Sequence, residues 1–209
     1  MEDVDLLGPT DVIEDRPFTN PDRIDSDLNT LRYMIDQLCL FVEEQGDKAQ
    51  DRPIVRHLPS RESWIYRLIV VRPEQLLQPG ALLFVGFLGR RKSEGDLEAA
   101  AEFDRTLVAE LPEYPGLLSY STMALVSGDF SNLVVFSDPS VKTAWSRSRA
   151  HAQAVDKLAP DYYASVCLYN GRLPHGVHDS SRATLQRVKY FDYQTKPMWR
   201  AIRVFDSQA

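Results

Sequence analysis

Residues 116–151, GLLSYSTMALVSGDFSNLVVFSDPSVKTAWSRSRAH, constrain the fold more tightly than any other part of the chain. The run 117–126 sets Ser and Thr among apolar residues in rough alternation, the two-residue period of a strand. Ser127-Gly128-Asp129 follows as turn chemistry, since glycine tolerates positive φ and aspartate bonds its own backbone. Leu133-Val134-Val135-Phe136 is short, apolar and β-branched, as a buried strand requires. Asp138-Pro139 reads as a helix start, a carboxylate cap ahead of a proline at the first helical position. The helix expected over 141–158 carries Trp145 and His151. Val141, Ala144, Trp145, Ser148, Ala152, Val155 and Leu158 lie on or near one of its faces, and Pro160 stops it.

The neighbouring sequence continues the pattern. Residues 81–88, ALLFVGFL, are the most apolar run and have the length of a strand. Gly86 within it hints at a bulge or a close backbone approach. Asp96 caps a helix expected over 97–111, with Leu97, Ala100, Ala101, Phe103, Leu107, Val108 and Leu111 on its apolar face. Residues 162–169, YYASVCLY, make another strand, closed by the turn dipeptide Asn170-Gly171. From 81 to 169 the order is β-α-β-β-α-β. That order predicts an α+β fold with a ferredoxin-like core, an antiparallel sheet with both helices on one face.

The other face of such a sheet must also be covered. A second copy of the chain is one solution, which makes a homodimer through the sheet the expected partnership. The chain's own extensions are another. Residues 1–26 read as an irregular arm. An amphipathic helix follows, with Leu28, Leu31, Met34, Ile35, Leu38, Cys39 and Val42 in one stripe and Gly46 as its end. Residues 47–62 are a polar connector, and 64–71, WIYRLIVV, a strand broken only by Arg67. Residues 172–182 are loop, with strands at 183–193 and 198–205. The expected organisation is therefore 1–80 as an arm, helix and strand extension, 81–170 as the core domain, and 171–209 as strands packed on that domain.

Composition excludes several function classes. The 209 residues are 44% hydrophobic and 26% charged with a formal charge of −6, ordinary for a water-soluble globular chain. An acidic chain whose one basic triplet is Arg90-Arg91-Lys92 is a poor binder of phosphate backbones, so no nucleic acid is expected. No apolar run approaches a membrane span, and the acidic start lacks the features of a signal peptide. Cys39 and Cys167 lie in apolar segments without disulfide or metal spacing, which favours a reducing, cytoplasmic setting. No phosphate loop, GxSxG or paired CxxC is present.

Three segments carry a family resemblance: the strand-to-helix start 81–102, the junction LPEYPGLLSY at 111–120, and VFSDPSVKTAWSRSRAH at 135–151. Together they resemble the dimeric α+β-barrel superfamily, and within it the antibiotic-biosynthesis-monooxygenase type of domain. The resemblance covers about residues 81–170. It implies two sheets facing each other as a barrel, with a pocket between sheet and helices. Some members oxidise aromatic polyketides without metal or flavin; others bind and degrade haem through a helix His with a Trp and an Asn nearby. His151 stands where that His would be. Trp145 is the counterpart of the Trp, closer in sequence than in the haem degraders, and Asn132 and Asn170 are nominal counterparts of the Asn.

The site expected on these grounds is a pocket for an apolar, aromatic small molecule. His151 would take or hold a proton and Trp145 would pack on the substrate. Tyr120, Tyr162, Tyr169 and Phe84 would line the substrate position, a tyrosine orienting a carbonyl. No cofactor is expected, with haem on His151 as the lesser alternative. His175 and His178, as HGVH with Asp179 beside them, have a spacing that could suit a metal, but no second paired cluster completes a ligand set, so no metal site is expected. A cofactor-independent monooxygenase-like enzyme and a non-catalytic ligand-binding or assembly protein both fit this arrangement.

Overall fold

Strand ladders run across almost the whole chain in a computed structural model that describes residues 4–46, 52–59, 63–125 and 129–205. The strands are β1 (Asp5–Leu7), β2 (Ile54–Leu58), β3 (Ser63–Val70), β4 (Leu82–Arg91), β5 (Leu117–Leu125), β6 (Phe130–Phe136), β7 (Tyr163–Leu173), β8 (Thr184–Asp192) and β9 (Trp199–Val204). They form one nine-stranded sheet in the order β1-β9-β8-β7-β4-β6-β5-β3-β2. Every pairing is antiparallel except β1 on β9, so the sheet is mixed.

This corrects the expected fold class. The chain does not stop at a compact ferredoxin-like core that would close into a dimeric barrel. A four-stranded sheet would leave the outer backbone groups of β5 and β7 unpaired. Here β3 pairs along β5, and β8 along β7, so the ladder continues to both sides. The connector expected over 47–62 contains β2, and the arm contains β1. Asn170-Gly171, expected as a turn, lies inside β7, where the neighbours on β4 and β8 supply partners for its backbone.

The second face is filled by the chain itself. Helix α1 (Asp22–Gln45) lies on it with Leu31, Met34, Ile35 and Leu38 fully buried. Each such side chain contributes about 1.5–3 kcal/mol through removal from water. Small residues let the helix approach. A Cβ on Gly86 would stand 2.4 Å from Leu31 Cδ1, and Ser121 sits in the same cross-strand row. The close approach hinted at by Gly86 is to this helix. Two polar contacts fix the helix on the sheet: Tyr66 Oη donates to the Met34 carbonyl at 3.2 Å, and the Tyr169 hydroxyl donates to the Asp27 carboxylate.

The arm is also organised. Arg203 on β9 is fully buried and donates to the carbonyl oxygens of Pro9, Asp11 and Thr19 at 3.0, 2.7 and 3.0 Å. Its guanidinium satisfies backbone groups that irregular chain would otherwise leave without partners.

Helix α2 (Pro73–Leu76), a single turn after β3, belongs to the second face, with Leu76 fully buried in the core under α1. The first face carries the helices from α3 onward. Helix α3 (Leu97–Glu110) starts at Asp96, whose carboxylate accepts from the N–H groups of Glu98 and Ala99. The helix expected over 141–158 is broken. Helix α4 (Pro139–Ser146) begins at the Asp138 cap as expected, but Ser148 leaves helical backbone and its Oγ accepts from His151 N–H, opening α5 (Arg149–Gln153). A short serine side chain competes for backbone N–H groups in this way. A π-helical turn, Ala154–Leu158, follows, then α6 (Ala159–Tyr162) with Pro160 in its first turn. Among the described residues no helix is long and apolar enough to cross a membrane.

Candidate functional site

Alternation along the strands builds the floor of a cavity. The sheet rows seen from the first face contain Tyr120, Val134 and Val85; then Arg67, Thr122, Asn132, Phe87 and Leu168; then Ile65, Ala124, Phe130, Val166 and Phe191. Successive residues point to opposite faces, so the residues between these point at α1. Helix α3 and the α4–α6 segment form the roof. Between them lies a cavity of about 460 Å³ lined by these floor residues and by Phe103, Asp104, Trp145, His151 and Tyr163 among others. Gly89 in the third row makes room for the side wall: a Cβ there would stand 2.4 Å from the Tyr163 ring.

The cavity is mainly apolar, with polar groups at defined points. Arg67 Nη2 donates to Asp104 Oδ1 at 2.7 Å and to Thr122 Oγ1 at 3.3 Å. Tyr120 Oη donates to the same Asp104 oxygen at 3.4 Å. Burial opposes the Arg67 charge, but the Asp104 carboxylate outweighs it and holds the guanidinium pKa above its usual value. Burial pushes the Tyr120 and Tyr163 hydroxyls up, so both stay protonated. Asn132 Oδ1 and Trp145 Nε1 are buried without a hydrogen-bond partner. An orphaned acceptor in the floor and an orphaned donor in the roof of one cavity are uncommon and costly unless something else satisfies them.

His151 joins the roof beside Trp145, their rings edge-to-face with centroids 4.7 Å apart. Burial pulls the imidazole pKa below its usual value, against the opposing Glu110 carboxylate. The ring is therefore neutral at neutral pH and able to accept a proton. The break at Ser148 and the π-helical turn are what aim this segment, placing His151, Ala154, Val155 and Leu158 in the lining.

Of the residues expected at the site, His151, Trp145, Tyr120 and Tyr162 line the cavity. Tyr169 and Phe84 do not. Both belong to the core under α1, where Tyr169 meets Asp27. Arg67, Asp104 and Thr122 were absent from the expected set. Arg67 carried a signal, a cation interrupting an otherwise apolar strand; Asp104 on an amphipathic helix carried none.

No family model and no curated sequence matches the chain. Among solved structures it is similar to protein SO0527 from Shewanella oneidensis. That match has 13% identity and a TM-score of 0.41, and covers 53% of this chain and 98% of that one. It is also similar to an aldoxime dehydratase, at 16% identity and a TM-score of 0.28, over 70% of this chain and 39% of that one. The chain thus spans well under half the length of the dehydratase. Overlap at this level supplies no substrate or activity.

Haem, the lesser alternative, is a poor match for the lining. Among the described lining residues Arg67 is the one cationic side chain, and its charge is already met by Asp104. Two haem propionates would enter an apolar cavity without a free cation to compensate them.

Proposed function

We propose that this chain binds a small molecule with an apolar, aromatic body in the cavity between the sheet and helices α3 to α6. The observation that carries the reading is the pairing of a largely apolar 460 Å³ cavity with orphaned polar atoms on its lining residues, Asn132 Oδ1, Trp145 Nε1, Tyr162 Oη and Arg67 Nε. The volume suits a drug-sized ligand, and a few fixed polar groups in an apolar wall are the usual means of orienting one. A ligand that donates to Asn132 and accepts from Trp145 would satisfy the first two.

A second reading is favoured by the imidazole of His151 in the roof of the same cavity. An enzyme of the monooxygenase-like type would use it as the base that removes a proton from the bound aromatic substrate, with Trp145 packed on the ring. Tyr120 and Tyr162 belong to the substrate surface in this scheme.

Saturable binding of an uncharged aromatic fluorophore, N-phenyl-1-naphthylamine, tests the first reading. One probe per chain is expected, lost in Ala124→Phe, which fills the floor, with circular dichroism unchanged. Probe binding that survives Ala124→Phe places the ligand elsewhere and overturns it. Oxygen uptake with aromatic hydroquinones, abolished in His151→Ala while probe binding persists, supports the second; uptake unchanged by that substitution refutes it.

A further inference from the structure

A second cluster lies on the other side of the sheet, away from the cavity. Cys39 and Glu43 are one turn apart on α1, so their side chains share a face. The 3-10 turn Gly176–His178 packs beside this helix and brings in His178. Cys39 Sγ stands 3.5 Å from Glu43 Oε1 and 3.7 Å from His178 Nδ1, and His178 Nδ1 stands 3.5 Å from Glu43 Oε1. A thiol, an imidazole and a carboxylate thus form a nearly equilateral triangle.

The size of that triangle is informative. Zinc bonds of 2.3 Å to sulfur and 2.0–2.2 Å to nitrogen or oxygen, at tetrahedral angles, put the donor atoms roughly 3.3–3.6 Å apart. The observed edges are within a few tenths of an ångström of one face of that tetrahedron. The donor set is also of the right kind, since thiolate and imidazole select zinc-like ions over magnesium or calcium. We infer that Cys39, Glu43 and His178 bind a zinc-type divalent transition metal, with solvent in the fourth position.

The His175 and His178 spacing within the loop does not form this site. His178 finds its partners on α1, 135 or more residues earlier in the chain, and His175 is not among the three. Bound metal would clip the 176–182 segment to α1, where Val177 already enters the core. The site and the cavity lie on opposite faces of the sheet, so neither reading depends on the other.

Cobalt(II) and zinc titration of the full chain, freed of any histidine tag, tests the inference. The expected result is one cobalt per chain. It should show a near-ultraviolet thiolate-to-cobalt charge-transfer band and the intense visible bands of a tetrahedral ion, all displaced by zinc. Cys39→Ser should remove the charge-transfer band. Glu43→Gln and His178→Ala should each weaken binding at least roughly 10–100-fold, the loss that even an outer-shell partner causes. Cys167→Ser, buried in the sheet, should leave the spectrum intact. A cobalt spectrum without the thiolate band, or one that survives Cys39→Ser, overturns the site. All three ligands are at least partly exposed, and circular dichroism of each variant confirms that a lost spectrum is not a lost fold.

Discussion

Gly86 and Leu31 form the point at which α1 meets the centre of the sheet, and a double-mutant cycle there tests how the second face is covered. In Gly86→Ala the new Cβ would stand 2.4 Å from Leu31 Cδ1 and 2.6 Å from Cδ2, about 1 Å inside ordinary contact. Leu31 is fully buried, so its neighbours resist a change of rotamer. Overpacking of this kind costs about 1–3 kcal/mol. Leu31→Ala alone removes buried methyl groups and leaves a cavity, at about 2–5 kcal/mol. In the double variant the clash disappears and the added methyl recovers part of the void. The double variant should therefore be more stable than the sum of the single effects by about 1–3 kcal/mol, a coupling typical of touching residues. Urea denaturation followed by circular dichroism, with unchanged m-values, measures all four corners. At this chain length each kcal/mol moves the melting temperature by about 2–4 °C. Additivity to within about 0.5 kcal/mol would refute the contact, and with it the placement of α1 over β4.

Three further outcomes follow from the polar groups. His151 has a lowered folded-state pKa, so below the ordinary histidine value the unfolded chain takes up protons that the folded chain refuses. That contribution to stability is complete above about pH 6.5 and drains away as pH falls towards the folded value. Urea midpoints should therefore drop less between pH 7 and 5 in His151→Gln than in the parent. Tyr169→Phe removes the hydroxyl that donates to the buried Asp27 carboxylate, and calorimetry should show a loss of about 1–3 kcal/mol at neutral pH. Asp104→Ala leaves Arg67 facing an apolar cavity; the expected loss is about 2 kcal/mol, with recovery in the Arg67→Met, Asp104→Leu double variant.

Local chemistry could be read directly from the residues. The Asp96 and Asp138 caps, the Gly46 helix end and the strands around Leu82, Leu117 and Leu133 stand where their side chains dictate. The turn expected at Ser127-Gly128-Asp129 begins outside the described residues. What failed was tertiary. Asn170-Gly171 has turn propensity, but strands on both sides hold it extended. The run containing Ile54 is too short and polar to announce a strand until β3 pairs with it. The site divided on the same line. Trp145 could be singled out on the apolar face of the expected helix, and His151 only through the family resemblance. Tyr169 and Phe84 could not be assigned to a face without the register, and a one-residue offset along a strand reverses the side.

The sheet keeps two ledgers that do not share residues. On β5, Tyr120, Thr122 and Ala124 face the cavity, while Ser119, Ser121 and Met123 alternate with them on the opposite side. A change at Tyr120, Thr122 or Ala124 alters what the cavity accepts without disturbing the seat of α1. Variation could thus accumulate on the binding side while the opposite side holds the fold constant, and ligand preference could drift in single substitutions with no unfolded step between.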